Sequence, residues 1–224
     1  MHDISSFSKS GLKPTFMGKV MTLFALAIAT TTAGVFVSFA YLFEFFLATP
    51  ALMWVVYIVE IAIIFTSGMW SQKRPLNYLL FATFALLSGI TIAPLIGIVA
   101  QMPNGVAMIG KALASTAAMF IATGIFGWTT KMDLSGLRGF LMTALIGIII
   151  VSIIGIFLPW SNNFEMFFSG FGVILFSGFI MYDFQRIKHY PENRTIEAAL
   201  ALYLDIFNLF IYILRLMLSL SSRD

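Results

Sequence analysis

Residues 198–219 read AALALYLDIFNLFIYILRLMLS, an apolar run with few polar interruptions. About 20 apolar residues in a helix cross the hydrocarbon core of a bilayer, so the run predicts a transmembrane helix. At about 100° per residue, Asp205 and three other polar side chains fall within one stripe of that helix: Asn208, Tyr212 and Arg215. Because a polar stripe in lipid must face other protein, we expect this helix to lie at the centre of a bundle and to line any polar path.

The whole chain has the composition of an integral membrane protein. Of its 224 residues, 60% are hydrophobic and 10% are charged, whereas a soluble domain carries about 25% charged residues. The apolar share suffices for about six or seven bilayer crossings and little else. This excludes a soluble enzyme, a disordered chain and a secreted disulfide scaffold. Because the sequence contains no cysteine, thiolate metal sites and cysteine redox chemistry are excluded as well.

Seven candidate spans emerge when the chain is cut at its prolines and polar loops. They cover residues 19–42, 51–70, 76–99, 105–128, 138–158, 162–182 and 198–219. We therefore predict a polar cytoplasmic tail at residues 1–18 and an all-α integral membrane domain at residues 19–220. That domain is expected to be a seven-transmembrane-helix bundle with the C-terminal helix central. The first apolar run is too long for a signal peptide, whose apolar core has about 7–15 residues, so we expect it to stay uncleaved.

The basic residues are distributed asymmetrically over this layout. Ten of the thirteen lie in or beside the tail and the second, fourth and sixth loops: Lys9, Lys13, Lys19, Lys73, Arg74, Lys131, Arg138, Arg186, Lys188 and Arg194. The positive-inside rule then places the N-terminus in the cytoplasm and, after an odd number of crossings, the C-terminus outside. Arg223 favours an alternative in which the last helix re-enters and both termini lie inside. Short basic clusters between apolar runs indicate topology rather than a nucleic-acid partner, and the short tails indicate a bacterial inner membrane.

Three carboxyl groups are predicted at membrane depth, where an unpaired charge is costly and therefore a functional candidate. They are Glu60, Asp183 and Asp205. The midpoint between the two aspartates is position 194, inside the turn that joins the last two spans. In an antiparallel helix pair they should therefore lie at one height, about 10–15 Å from that turn, where they could share a site.

Each of these residues can also have a purely structural role. Asp183 can pair with Arg186 one helical turn on, and Asp205 can be a hydrogen-bonded packing residue. A buried Glu60 can simply be neutral. Arg215 is expected to extend to the outer interface of the membrane.

Three segments carry a family resemblance that spans essentially the whole chain. They are LLSGITIAPLIG at 86–97, MYDFQRI at 181–187 and ALYLDIFNLFIYILRLM at 201–217. Together they resemble the hallmark segments of the Bax inhibitor-1 family, the transmembrane Bax-inhibitor-motif proteins. The resemblance implies six helices around the seventh and a pH-sensitive calcium leak. It also implies that Asp183 and Asp205 form the sensor and hold permeating calcium transiently.

The sequence departs from the family pattern in its second span. Some members place an arginine there that latches onto the aspartate pair in the closed state, whereas the ionisable residue in this span is Glu60. Other bacterial members lack the aspartates and resemble modulators of a membrane-anchored ATP-dependent protease. Because both aspartates are present here, the resemblance favours the ion-leak branch.

Two adjacent carboxylates have the chemistry of a pH switch. At about 5 Å and an effective dielectric of about 20 they repel by roughly 3 kcal/mol, so the pair should hold one shared proton and titrate as a unit. With that proton the pair clamps the sixth span to the seventh; without it, the pair attracts a hard cation. We expect a calcium leak that opens as the pH rises, with no resident cofactor and no enzymatic activity. Arg186 is the expected neighbour of the gate, and the expected path residues are Glu60, Asn208, Tyr212 and Arg215.

Two other classes of protein fit parts of the sequence. The first is an interaction protein that restrains a membrane protease through its tail and cytoplasmic loops. The second is an intramembrane aspartyl protease, because an aspartate in one span is followed by another in the next. Such enzymes carry glycine immediately before the second aspartate, whereas Leu204 precedes Asp205 here. The intramembrane aspartyl protease is therefore the weaker of these two interpretations.

Overall fold

The computed structural model describes residues 15–49 and 51–221, and this part of the chain is helical, without strands. Most of the predicted tail, including Lys9 and Lys13, lies outside the described residues, as does Arg223. The helices are α1 Phe16–Val37, α2 Phe43–Ala48, α3 Ala51–Phe65, α4 Ser67–Trp70, α5 Leu76–Ala100, α6 Gly105–Thr129, α7 Leu137–Phe157, α8 Asn162–Ile187 and α9 Thr195–Ser221. A π-helical turn at Ser38–Leu42 joins α1 to α2, and a 3-10 turn at Glu192–Arg194 precedes α9.

Six of these helical segments are long and apolar enough to cross a membrane, and α3 is a shorter apolar helix. The predicted all-α membrane bundle is thereby confirmed. The predicted bounds of the third, fourth and fifth spans agree with α5, α6 and α7 to within one residue. The first helix starts earlier than position 19, at Phe16, because the Thr15 hydroxyl accepts a hydrogen bond from the Gly18 amide at 3.2 Å and caps it.

The predicted span 51–70 is interrupted in the structure. Helix α3 has 15 residues, roughly 22 Å of helix, against a hydrocarbon core of about 30 Å. At its end, the Thr66 hydroxyl donates to the Ala62 carbonyl at 2.7 Å, and the Trp70 indole donates to the Ile63 carbonyl at 3.0 Å. The two side chains thus hydrogen-bond to carbonyl oxygens at the end of α3. The chain then continues as the single-turn helix α4.

Helix α9 lies at the centre of the bundle, as its polar stripe predicted. It packs against α8, α1, α6 and α5, whereas α3 packs on α5 and α7 packs on α8. Four of the largest fully buried side chains belong to α9: Leu202, Tyr203, Leu209 and Leu214. On the outer helices, by contrast, large apolar side chains are exposed, among them Ile58, Phe65, Phe140 and Phe157. A surface of this kind is suited to lipid rather than to water.

Helices α1 and α5 cross with their backbones in close contact. A Cβ atom on Gly89 would overlap the Thr31 carbonyl oxygen, and one on Gly34 would overlap the Leu86 carbonyl oxygen. Next to this crossing, Pro94 lies inside α5 and cannot donate to the Ile90 carbonyl. The buried Ser38 hydroxyl of the π-helical turn donates to that carbonyl instead, at 3.5 Å.

The segments that carry most of the basic residues meet at one end of the bundle. The α8–α9 turn contacts the start of α1 through Lys19 and Glu192, 3.5 Å apart. It contacts the segment after α4 through the Asn193 amide, which donates to Gln72 at 3.2 Å. Near the end of α8, Gln185 accepts from the Leu134 amide of the α6–α7 loop at 2.8 Å. The start of α1, the segment after α4, the α6–α7 loop and the α8–α9 turn therefore lie at one end of the bundle.

Candidate functional site

The candidate site lies between α8 and α9. Asp183 is one turn from the end of α8 and Asp205 is near the third turn of α9; the two residues are 6% and 5% exposed. Because a short turn joins the two antiparallel helices, the carboxyl groups come to the same height. Their side chains lie within hydrogen-bonding range of each other. The structure thus brings together the two aspartates that the hairpin symmetry paired.

A hydrogen bond between two carboxyl groups requires a proton on one of them, because an ionised carboxylate only accepts. The Asp205 Oδ2 atom is buried and has no hydrogen-bond partner in the part of the chain that the structure describes. Leaving a buried oxygen unpaired costs free energy.

Arg186 stands beside the pair and neutralises one of its members. Its Nη2 atom lies 3.1 Å from Asp183 Oδ1, so the helical pair that the sequence left open is present. Its guanidinium also lies over the rings of Tyr182 and Tyr190, at 5.4 and 5.2 Å from the ring centroids. Burial raises the pKa of Tyr190 above its ordinary value. These contacts hold Arg186 between the carboxyl pair and the α8–α9 turn.

Glu60 does not contact this pair. It projects from α3 toward α5, where its carboxyl group lies beside the hydroxyls of Ser88 and Thr91. It lines a cavity of about 340 Å³ together with Asn208 of α9. Glu60 therefore does not act as a latch on the aspartate pair.

The remaining polar residues of the α9 stripe have different surroundings from Asp205. Asn208 faces the Glu60 cavity and donates from its amide nitrogen to the Leu204 carbonyl at 2.7 Å. Tyr212 packs on the backbone of α8 at Gly172 and stacks on Phe176, with 5.6 Å between ring centroids. The polar residues of the stripe therefore do not share one site.

Arg215, expected to extend to the outer interface, forms an ion pair with Glu165. Its Nε atom donates to Glu165 Oε1 at 2.6 Å, across from α9 to α8. The pair lines a second cavity, of about 520 Å³, near the α7–α8 turn. Glu165 is not among the residues predicted from the sequence, although the midpoint of 165 and 215 is position 190, close to the same hairpin turn. The symmetry that paired the aspartates would also have found this ion pair.

No cluster of three or more metal-binding side chains forms within residues 15–49 and 51–221. Two carboxyl groups supply at most about four oxygens, whereas calcium takes about six to eight. The donor set between α8 and α9 therefore suits brief contact with a hydrated cation rather than tight storage.

Fold and site together define a class: a polytopic helical membrane protein with a buried carboxyl pair between its last two helices. The family model described as inhibitor of apoptosis-promoting Bax1 matches residues 13–223. The chain belongs to the Bax inhibitor-1 family, as its sequence segments indicated.

Similar proteins come from bacteria and from a yeast. The uncharacterized protein Cj0236c of Campylobacter jejuni is 33% identical over 208 residues, 93% of this chain and 90% of its own. An uncharacterized membrane protein of Streptococcus pyogenes serotype M3 is 32% identical over 96% of both chains. Bax inhibitor 1 of Schizosaccharomyces pombe is 32% identical over 75% of this chain and 62% of its own.

Proposed function

We propose that this protein is a pH-sensitive cation leak channel, permeable to calcium and gated by Asp183 and Asp205. The observation that supports this function is the placement of two buried carboxyl groups side by side between the central helix and its hairpin partner. In this proposal calcium is the permeant ion and the protein is a channel rather than an enzyme.

The closed state is explained by charge balance. With one shared proton the pair carries a single negative charge, and the Arg186 guanidinium 3.1 Å from Asp183 balances it. The site is then neutral, which lowers the cost of burying it. The shared proton also forms a direct link between α8 and α9.

Opening follows from the loss of that proton as the cytoplasmic pH rises. The site then carries one unbalanced negative charge, and the carboxylates repel by roughly 3 kcal/mol at about 5 Å and an effective dielectric of about 20. Repulsion separates α8 from α9, and the exposed carboxylate oxygens attract a hard cation. Acid therefore closes the path and alkali opens it.

The orientation that goes with this mechanism places the pair near the cytoplasm. We assign the end of the bundle that carries Lys73, Arg74, Lys131 and Arg138 to the cytoplasmic side of a bacterial inner membrane. The N-terminus then lies inside and the C-terminus outside. The bilayer and calcium are the partners that the mechanism requires.

The test is calcium flux from liposomes that contain the purified full-length protein, measured between about pH 5 and pH 8. Asp205→Asn cannot lose a proton, so we expect its flux to stay at the acid level, while the wild-type open population rises by up to about a hundredfold. Asp183→Asn should also abolish the pH response. Asp133→Asn, on an exposed loop, is the matched control and should behave like wild type.

Unchanged flux and pH dependence in both variants would refute the sensor. If, in addition, a membrane-anchored protease co-purified with the protein and was lost on deletion of the N-terminal tail, the protein would instead be an interaction partner of that protease.

A further inference from the structure

A second polar site lies on another face of the central helix. The cavity of about 340 Å³ is bounded by α3, α5 and α9. Two residues that line it, Ser88 and Asn208, are the middle residues of α5 and α9. Because both helices are long enough to span the membrane, the cavity lies near the bilayer centre.

Oxygen atoms converge on this cavity. The Glu60 carboxyl group, on a residue only 8% exposed, lies beside the Ser88 and Thr91 hydroxyls. These hydroxyls donate to the Phe84 and Ser88 carbonyls at 3.0 and 3.1 Å, so each keeps its oxygen lone pairs for a ligand. The Asn208 amide nitrogen is bound to the Leu204 carbonyl at 2.7 Å, so the group that Asn208 offers the cavity is its oxygen. Carboxylate, hydroxyl and amide oxygens are ligands of hard cations.

The charge of the site is not balanced by a basic side chain. No salt bridge reaches Glu60 from the residues that the structure describes. The titratable groups that interact with it are the phenols of Tyr57 and Tyr203. A lone carboxylate at this depth must be neutralised by a proton or by a bound cation. One carboxylate balances one positive charge, so a divalent ion would leave an uncompensated charge in a low dielectric.

We propose that this cavity is a binding site for a monovalent hard cation of the sodium type, with Glu60 as the charged ligand and Ser88, Thr91 and Asn208 as neutral ones. The site is separate from the aspartate pair and does not require that pair to act as a gate. The proposal of a sodium site is therefore independent of the proposed calcium leak.

The test is the thermal unfolding midpoint of the full-length protein in detergent, titrated with NaCl at constant ionic strength against N-methyl-D-glucamine chloride. A ligand that binds the folded state raises the midpoint in a saturable way. We expect sodium to do so for wild type and Glu60→Gln to abolish the response. Asn208→Ala should weaken the apparent sodium affinity by about tenfold. Glu165→Gln, a carboxyl substitution in the other cavity, should keep the response, and calcium should produce a smaller shift than sodium.

Three results would overturn the site. The first is a wild-type midpoint that does not respond to sodium, which would make Glu60 a protonated packing residue. The second is a response that Glu60→Gln retains. If Glu60→Gln does not fold, Asn208→Ala decides the matter, because an unchanged sodium affinity in that variant contradicts the ligand set. The pH dependence of calcium flux, measured separately, tests the aspartate pair.

Discussion

Arg215 and Glu165 illustrate how a single contact changes the role expected of a residue. Their side chains are 31% and 23% exposed, and the 2.6 Å distance from Arg215 Nε to Glu165 Oε1 is that of a charge-assisted hydrogen bond. The pair joins α8 to α9 far along the hairpin from the aspartates. We therefore interpret it as a second link between the helices whose separation opens the proposed gate.

Glu165→Gln should destabilise the protein by about 1–3 kcal/mol in the free energy of unfolding. An exposed ion pair contributes about 0–1 kcal/mol, whereas removing one partner of a buried ion pair costs about 3–5 kcal/mol. The Glu165–Arg215 pair is intermediate in exposure, so we expect a cost between these values. Unfolding in detergent, followed by circular dichroism, measures the change. Arg215→Gln and the double variant complete the cycle. If the double variant loses the sum of the two single effects, the ion pair contributes nothing.

The crossing of α1 and α5 depends on glycine at the point of contact. Gly89→Ala would place a Cβ atom against the Thr31 backbone, so we expect a loss of about 1–3 kcal/mol in the free energy of unfolding. Gly110→Ala in α6 is the matched control, since a Cβ there meets nothing within 4 Å. It should be neutral or stabilise by up to about 1 kcal/mol. Equal effects of the two substitutions would contradict the close contact.

The π-helical turn after α1 satisfies a carbonyl that Pro94 leaves free in α5. Ser38→Ala should therefore cost about 0.5–1.5 kcal/mol. In a Pro94→Ala background the Ile90 carbonyl regains a helical donor, and Ser38→Ala should then cost almost nothing. Thermal unfolding of the four proteins measures this coupling. An undiminished effect of Ser38→Ala in the Pro94→Ala background would show that the hydroxyl acts elsewhere.

The orientation of the whole molecule in the membrane can be tested by labelling single introduced cysteines. Background labelling is low because the sequence contains no cysteine. Ser135→Cys, in the loop between α6 and α7, should react with an impermeant maleimide only when the cytoplasmic face is accessible. Met102→Cys, in the turn between α5 and α6, should react from outside in intact cells. The reverse pattern would invert the topology and place the aspartate pair near the outer face.

Much of the bundle could be predicted from local patterns. Hydropathy and proline positions located three spans to within one residue, because burial in lipid depends on the composition of each segment. The height match of Asp183 and Asp205 followed from the rise per residue on either side of one turn. The break at Thr66 was missed, because it depends on Trp70 reaching back to the Ile63 carbonyl, a contact that hydropathy does not encode.

The location of most apolar spans, the central position of the last helix and the shared height of the two aspartates follow from the order of residues along the chain, since each is a property of one helix or one hairpin. Three features do not follow from the order of residues: the neighbours of Glu60, the partner of Arg215 and the contact between Gly34 and Gly89. They depend on how each helix is rotated about its axis and how closely it approaches its neighbours. Those quantities are set by the packing of all the helices at once.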